Sequence, residues 1–151
     1  QDSTNFKRKP YRLIVPVDKK TNYEEDLKES PFVYPDNTVQ IYPGETVYIE
    51  VEQTNGKISS MKAVPENLNP EKTIVLSFTQ TLKKNVHESM MLKVINPFSK
   101  KLIYKARIYI YNQKRWIDTD VYPVEPNLSA FEIWPDLITT IGLGGWTLSD
   151  K

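Results

Sequence analysis

The chain has 151 residues, with 20 Lys and Arg against 19 Asp and Glu for a formal net charge of +1. That is the size of one domain, with too weak a field to hold a phosphate polymer or an anionic membrane, which argues against a nucleic-acid role. Leu, Ile, Val and Phe number 11, 13, 12 and 5, which excludes wholesale disorder, and the absence of Cys excludes thiolate metal sites, thiol nucleophiles and disulfides.

Ala occurs only at Ala63, Ala106 and Ala130, beside 12 Thr, 9 Tyr and 11 Pro; the bias is toward strands. No apolar run approaches the roughly 18 residues of a membrane-spanning helix, so no transmembrane segment is expected. The chain begins at Gln1 without Met, and its polar opening over residues 1–9 suits the mature end of an exported protein from which a signal peptide has been removed, with the loss of an upstream domain as the alternative. Residues 11–17 form a short apolar run whose Pro16 places it at an edge or a strand end. Lys19, Lys20, Glu24, Glu25, Asp26, Lys28 and Glu29 crowd residues 18–30 with little apolar periodicity, which reads as a solvated loop.

Short strands are expected at 32–34 and 39–42. At 45–52, Val47, Ile49 and Val51 alternate with Thr46, Tyr48, Glu50 and Glu52, predicting a strand with one buried face. Asn55-Gly56 supplies the dipeptide of a type I′ turn, so residues 57–64 should return as a hairpin partner. Period-two alternation recurs at Ile74, Leu76 and Phe78, at Met90, Leu92 and Val94, and at Leu102, Tyr104, Ala106, Ile108 and Ile110. Asn112-Gln113-Lys114 turns the chain into residues 115–122, and strands follow at 130–134 and 137–148; Gly142, Gly144 and Gly145 in the last predict a bulge or a close backbone approach. The expected fold is a single antiparallel immunoglobulin-like β-sandwich of about seven to nine strands, with a core over residues 37–148 and an N-terminal extension, carrying the charged loop, over residues 1–36.

The string Tyr42-Pro43-Gly44-Glu45-Thr46-Val47-Tyr48-Ile49-Glu50-Val51 resembles the entry into a strand of bacterial immunoglobulin-like modules. Leu92-Lys93-Val94-Ile95-Asn96, Leu102-Ile103-Tyr104-Lys105-Ala106, Tyr122-Pro123-Val124, Glu132-Ile133-Trp134-Pro135 and Ile141-Gly142-Leu143 together resemble uncharacterised exported bacterial proteins over residues 37–148. The resemblance implies an extracytoplasmic sandwich and brings no catalytic residues with it.

The residues offer little chemistry. His87 is the only histidine, and its neighbours Glu88 and Ser89 point to alternate faces of a strand, so no catalytic triad is readable. His87, Met90 and Met91 are copper-type ligands, yet adjacent methionines on a strand face opposite ways and fill cores well. Asp118 and Asp120 share a strand face that could take a calcium ion, and Glu132 and Asp136 with them could be drawn as a glycosidase pair, but no cleft is visible. The Gly142-Leu143-Gly144-Gly145 cluster lacks the Lys-Ser/Thr of a phosphate loop. No enzyme activity, cofactor or metal site is expected.

The aromatic residues remain. Tyr109 and Tyr111 share a predicted outer face with Lys105 and Arg107, and Trp116 lies across the following turn. Such a platform suits a sugar ring or a partner protein. The expected function is a non-catalytic interaction or assembly module, in the periplasm or secreted, whose partner is a protein or another cell-envelope component; a carbohydrate-binding module using these five residues is the alternative. An interaction module should show a bare strand edge or an apolar patch. A sandwich that donates or accepts a strand, with the Pro16 segment as the suspect element, is a third reading.

Overall fold

The computed structural model describes residues 5–151; the first four positions of the polar opening lie outside them. The strands are β1 (Lys7–Arg8), β2 (Tyr11–Pro16), β3 (Asn22–Leu27), β4 (Ser30–Pro31), β5 (Val39–Ile41), β6 (Thr46–Thr54), β7 (Lys57–Val64), β8 (Thr73–Lys83), β9 (Val86–Ile95), β10 (Lys101–Ile110), β11 (Trp116–Thr119), β12 (Ser129–Trp134) and β13 (Ile138–Ser149), with one 3₁₀ turn at Pro70–Lys72. A four-stranded sheet in the order β11-β10-β13-β5 faces a five-stranded sheet in the order β12-β9-β8-β6-β7, and every pairing is antiparallel. The protein is an all-β antiparallel sandwich.

Its core follows from the period of two. Val47, Ile49 and Val51 of β6, Ile74, Leu76 and Phe78 of β8, Met90, Leu92 and Val94 of β9, and the five alternate residues of β10 from Leu102 to Ile110 are all buried between the sheets. Asn55 and Gly56 join β6 to β7 with φ of 55° and 78°, the type I′ geometry that their sequence predicts. Lys84 and Asn85 make the same kind of turn between β8 and β9, at 53° and 65°, without a glycine to announce it. In β13 the expected bulge is present: the register steps from Ile103↔Thr147 to Lys105↔Gly144, and Gly145 adopts φ 63°. The extra residue turns Trp146 inward to stack on Tyr104, with ring centroids 5.2 Å apart.

The charged segment differs from its sequence reading. Residues 22–27 are a strand, and all of β3 pairs with β2, from Tyr11↔Leu27 to Pro16↔Asn22. Arg12 opposes Asp26, and its guanidinium reaches Asp26 Oδ1 at 2.6 Å and Glu24 Oε1 at 2.8 Å. These exposed pairs add little stability, but they let a run of charges sit in register. Leu13, Val15 and Leu27 pack with Leu137 in a small second cluster. With only Tyr23 and Leu27 apolar and three acidic residues between them, β3 displays no alternation, so the strand is invisible to patterning.

What fixes this N-terminal part to the sandwich is Arg8, which is only 2% exposed. Its Nε and Nη2 donate to the two oxygens of Glu45 at 2.6 and 2.8 Å, Nη1 donates to Ser30 Oγ at 2.9 Å, and Nη2 also donates to the Gln40 carbonyl at 2.9 Å. The guanidinium lies 4.4 Å from the Phe32 ring centroid and 4.7 Å from that of Tyr42. Glu45 is aimed by the turn before it: Pro43 and Gly44 (φ 90°) occupy the centre of a type II turn closed by Glu45 N–H to Tyr42 O at 3.1 Å. Its carboxylate also accepts from Tyr42 N–H and from the Tyr11 hydroxyl, both at 2.9 Å. Burial first, and then the neighbouring Glu45 carboxylate, raise the Tyr11 hydroxyl well above the usual tyrosine range and keep it a donor.

Removing one member of a buried ion pair leaves the other charge unpaired. Arg8→Ala should therefore lower unfolding free energy by about 3–5 kcal/mol, with the double variant Arg8→Ala, Glu45→Ala losing less than the sum of the singles; urea denaturation of the four proteins measures this. In the core, the Tyr104 hydroxyl is buried without a hydrogen-bond partner among the described residues. Tyr104→Phe removes that unsatisfied group and should leave stability unchanged or raise it by up to about 1–3 kcal/mol in the same assay.

Candidate functional site

The outer face of the four-stranded sheet carries the residues singled out by sequence. Lys105, Arg107 and Tyr109 alternate along β10; across one neighbour Tyr109 opposes Trp116 and Arg107 opposes Asp118, and across the other Tyr109 opposes Thr140 and Arg107 opposes Gly142. Arg107 Nε lies 3.0 Å from Asp118 Oδ1 in an exposed pair. Tyr109 and Trp116 meet edge to face, 5.5 Å apart at 76°, so the two rings do not present one flat surface. Tyr111 meets Tyr23 of β3 in the same manner at 5.9 Å and 77°.

The five residues do not share one depression. Lys105, Arg107 and Trp116 border a groove of about 320 Å³ together with Thr38, Gly142, Gly144 and Gly145. Its floor is bare because Gly142 and Gly144 are both outward positions of β13: a Cβ at Gly142 would stand 3.8 Å from the Trp116 ring, and one at Gly144 would press on Thr38 Oγ1 at 3.3 Å. Tyr109 and Tyr111 line a separate hollow of about 540 Å³ with Tyr23, Asn112, Lys114 and Thr139. Lys105 and Arg107 also border a third, of about 410 Å³, with Asp118 and Asp120.

His87, Met90 and Glu132, also weighed for chemistry, are held in structural contacts. His87 lies within β9; its Nε2 is 3.0 Å from the Pro135 carbonyl and its Nδ1 3.0 Å from Gln80 Nε2. A carbonyl only accepts, so the pattern assigns the proton to Nε2 and leaves Nδ1 accepting from Gln80, whose amide also donates to the Pro16 carbonyl at 2.8 Å. Met90 is fully buried, and Met91 points to the other face. Glu132 Oε2 accepts from Tyr122 N–H at 2.7 Å. The described residues contain no group of three or more His, Asp or Glu arranged to hold a metal ion.

A second surface, missed in the sequence, emerges from the sheet edges. The outer strands of the two sheets are β5, β11, β7 and β12. The edge of β5 is covered by the chain before it, through Gln40 N–H to Phe32 O at 2.9 Å, Tyr34 N–H to Thr38 O at 2.8 Å and the Val33↔Val39 bridge. That of β7 is covered at Ala63, by Phe6 N–H to Ala63 O at 2.9 Å and by the Asn5 side chain accepting from Ala63 N–H at 2.8 Å, and the remainder of the strand carries the polar Lys57, Ser59, Ser60 and Lys62. β11 is four residues long and carries the Arg107–Asp118 pair on its face.

β12 is different. Asn96 N–H bonds to Leu128 O at 3.0 Å, and the register runs Ser129↔Ile95 through Trp134↔Met90 without a shift. Because antiparallel pairs alternate, Ala130, Glu132 and Trp134 turn their peptide groups to β9, and Ser129, Phe131 and Ile133 turn theirs to the free edge. Those same residues carry their side chains on the outer face, where Phe131 is 53% and Ile133 65% exposed. Residues 128–134 contain no Lys, Arg or Pro, the usual protections of an edge, and their one charge is Glu132. The strand was legible in sequence, but its place at the end of the sheet was not. The available signal was apolar residues on both faces of Ala130-Phe131-Glu132-Ile133-Trp134.

Among the described residues no helix is long and apolar enough to cross a membrane. No family model, no curated protein and no solved structure matches the chain.

Trp134 and Trp146 are buried, at 8% and 7% exposure, whereas Trp116 is 39% exposed. Trp116→Phe should remove the red-shifted, acrylamide-accessible part of the tryptophan emission and leave a blue-shifted remainder that resists quenching. Equal quenching of the variant and the parent would contradict this placement.

Proposed function

We propose that this domain is a non-catalytic, extracytoplasmic interaction module that takes an extended peptide strand of a protein partner onto β12. The observation that carries the reading is the uncovered edge of β12, whose outward peptide groups coincide with the exposed apolar side chains of Phe131 and Ile133. Main-chain groups along such an edge supply affinity for any extended segment, and alternate side chains supply the preference. Apolar side chains at every second position of the partner would extend the strip that Phe131, Ile133 and the neighbouring Met91 begin. The non-catalytic part is supported by His87, both of whose nitrogens are engaged, and by Glu45 and Glu132, whose carboxylates accept internal hydrogen bonds. The extracytoplasmic part rests on the sequence resemblance over residues 37–148.

The Pro16 segment is a poor candidate for a donated strand. It is already paired along its whole length with β3, and the chain beside it is locked by Arg8. Strand acceptance at β12 is the form of that idea that the geometry favours.

A second reading, carbohydrate recognition, is favoured by one observation: Trp116 borders a groove with a glycine floor, flanked by Lys105, Arg107 and Thr38. On a glycan array, binding that Trp116→Ala removes from a folded protein would support it, and an array without binding would retire it.

For the principal reading, a displayed library of ten-residue peptides with apolar side chains at alternate positions is selected on the immobilised protein. Phe131→Pro deletes an edge N–H without touching the ladder to β9, and edge strands tolerate proline. The expected result is a set of binders that lose Phe131→Pro and keep Trp116→Ala. Binders indifferent to Phe131→Pro would overturn the assignment to β12.

A further inference from the structure

We propose that the strand taken by β12 is β12 of a second copy of this chain, joined antiparallel about a two-fold axis at Phe131 so that the two five-stranded sheets become one of ten strands. This rests on the reading of β12 as an acceptor edge and names the occupant.

The free edge of β12 is self-complementary. An isologous pairing needs a strand that satisfies its own donors and acceptors when rotated by 180°. The outward residues of β12 are Ser129, Phe131 and Ile133, spaced two apart. With Phe131 on the axis, Phe131 opposes Phe131, and Ser129 opposes Ile133 twice, so every opposed pair is of the hydrogen-bonding kind and every free N–H and C=O of those three residues finds a partner.

The register also meets the charge constraint. Glu132 then faces Ala130 of the other copy. Moving the axis by one residue to Glu132 would set two carboxylates directly opposite and would bring Pro135, which has no N–H, against Ser129. The axis at Phe131 avoids both.

The exposed side chains agree with this pairing. The two Phe131 rings become cross-strand neighbours on the outer face, with Ile133 of each copy beside Ser129 of the other. Lys93 Nζ already lies 5.6 Å from the Phe131 ring centroid, on the next strand inward, so it flanks the apolar seam and does not block it. Of the four outer strands of the two main sheets, β12 is the one that combines more than four residues with a free edge and exposed apolar side chains; β2 and β3, six residues each, pair only with one another and carry Tyr11 and Ile14 exposed, but the charges of Arg12, Glu24, Glu25 and Asp26 line that ribbon. Three outward residues in each copy make a short seam, so the dimer should be weak and concentration dependent, below the standard size of a stable interface.

Sedimentation velocity of the full chain from about 1 μM to about 1 mM brackets the affinity expected of such a seam. The parent should move from monomer to dimer across this range, and Phe131→Pro should shift the midpoint upward by at least about tenfold, since two main-chain bonds are lost at the axis. Ile133→Lys is the second variant, and circular dichroism and thermal melts show that each remains folded.

The register has its own readout because the chain has no Cys. Cα atoms in a hydrogen-bonded antiparallel pair are about 5.5 Å apart, within the roughly 4.4–6.8 Å of disulfides. Phe131→Cys should therefore cross-link to itself on mild oxidation. Ile133→Cys should not, but should cross-link to Ser129→Cys when the two are mixed. A protein that stays monomeric at about 1 mM, or a dimer indifferent to both edge variants, overturns the proposal; self-linking of Ile133→Cys overturns the register. Library peptides that bind the parent but not Phe131→Pro, together with a monomeric parent, would leave the acceptor edge standing and this occupant refuted. Absence of both would refute the two together.

Discussion

Every open β-sheet ends in a row of peptide groups that must be covered, satisfied by water or offered to another chain, and in this protein Arg8 decides which rows are covered. Its buried guanidinium ties β1 to Glu45 at the entrance of β6, to Ser30 of β4 and to the backbone of β5. With that point fixed, Asn5 and Phe6 meet β7 at Ala63, and residues 32–34 lie along β5. One flank of the sandwich is closed by the protein's own N-terminal part. The opposite flank has its own clasp in buried Asn96, whose Nδ2 donates to the Lys100, Val124 and Glu125 carbonyls at 2.8, 3.0 and 3.2 Å. It is also crossed by Trp134 Nε1 to Thr119 Oγ1 at 3.1 Å and by the Glu132 contact to Tyr122, but among the described residues none of these engages the outward peptide groups of β12.

That asymmetry connects the fold to its use. A buried ion pair costs desolvation and is weak evidence for stability in itself. Here its geometry is its contribution: two carboxylate oxygens, a hydroxyl and a carbonyl converge on one planar group between two aromatic rings, and three separate parts of the chain are held in one register. The opposite flank keeps Tyr122, Leu128, Phe131 and Ile133 exposed. Single exposed apolar residues are ordinary on a surface, but apolar residues that alternate along an unpaired edge are the arrangement that other sheets are built to avoid.

Much of the sandwich could be read from the sequence because it obeys a period of two. The inward sets of β6, β8, β9 and β10 were each visible as alternate apolar residues, and Asn55-Gly56 and the glycines of β13 marked a turn and a bulge whose backbone only such residues adopt easily. Where the period fails, so does the reading. β3 shows one buried residue in six and is held by cross-strand contacts, and Glu50, assigned to an open outer face, is 8% exposed because Asn69 reaches over to its carboxylate. Alternation separates two faces without saying whether the outer one is covered. For the same reason Tyr109 and Trp116 were recognisable as neighbours, but their edge-to-face contact and the glycine floor beside them were not. The order of strands in a sheet is set by long-range pairing, so the only local trace of the exposed place of β12 was the apolar residues on both faces of Ala130 to Trp134.

On the isolated domain Ser129, Phe131 and Ile133 keep their amides free, and amide hydrogen exchange followed by NMR on a dilute sample tests this residue by residue. Exchange should alternate along β12: fast at Ser129, Phe131 and Ile133, and slow at Ala130, Glu132 and Trp134, whose amides bond to β9. Slow exchange at Phe131 and Ile133 in a monomeric sample would mean that the edge is already closed, and would contradict the account.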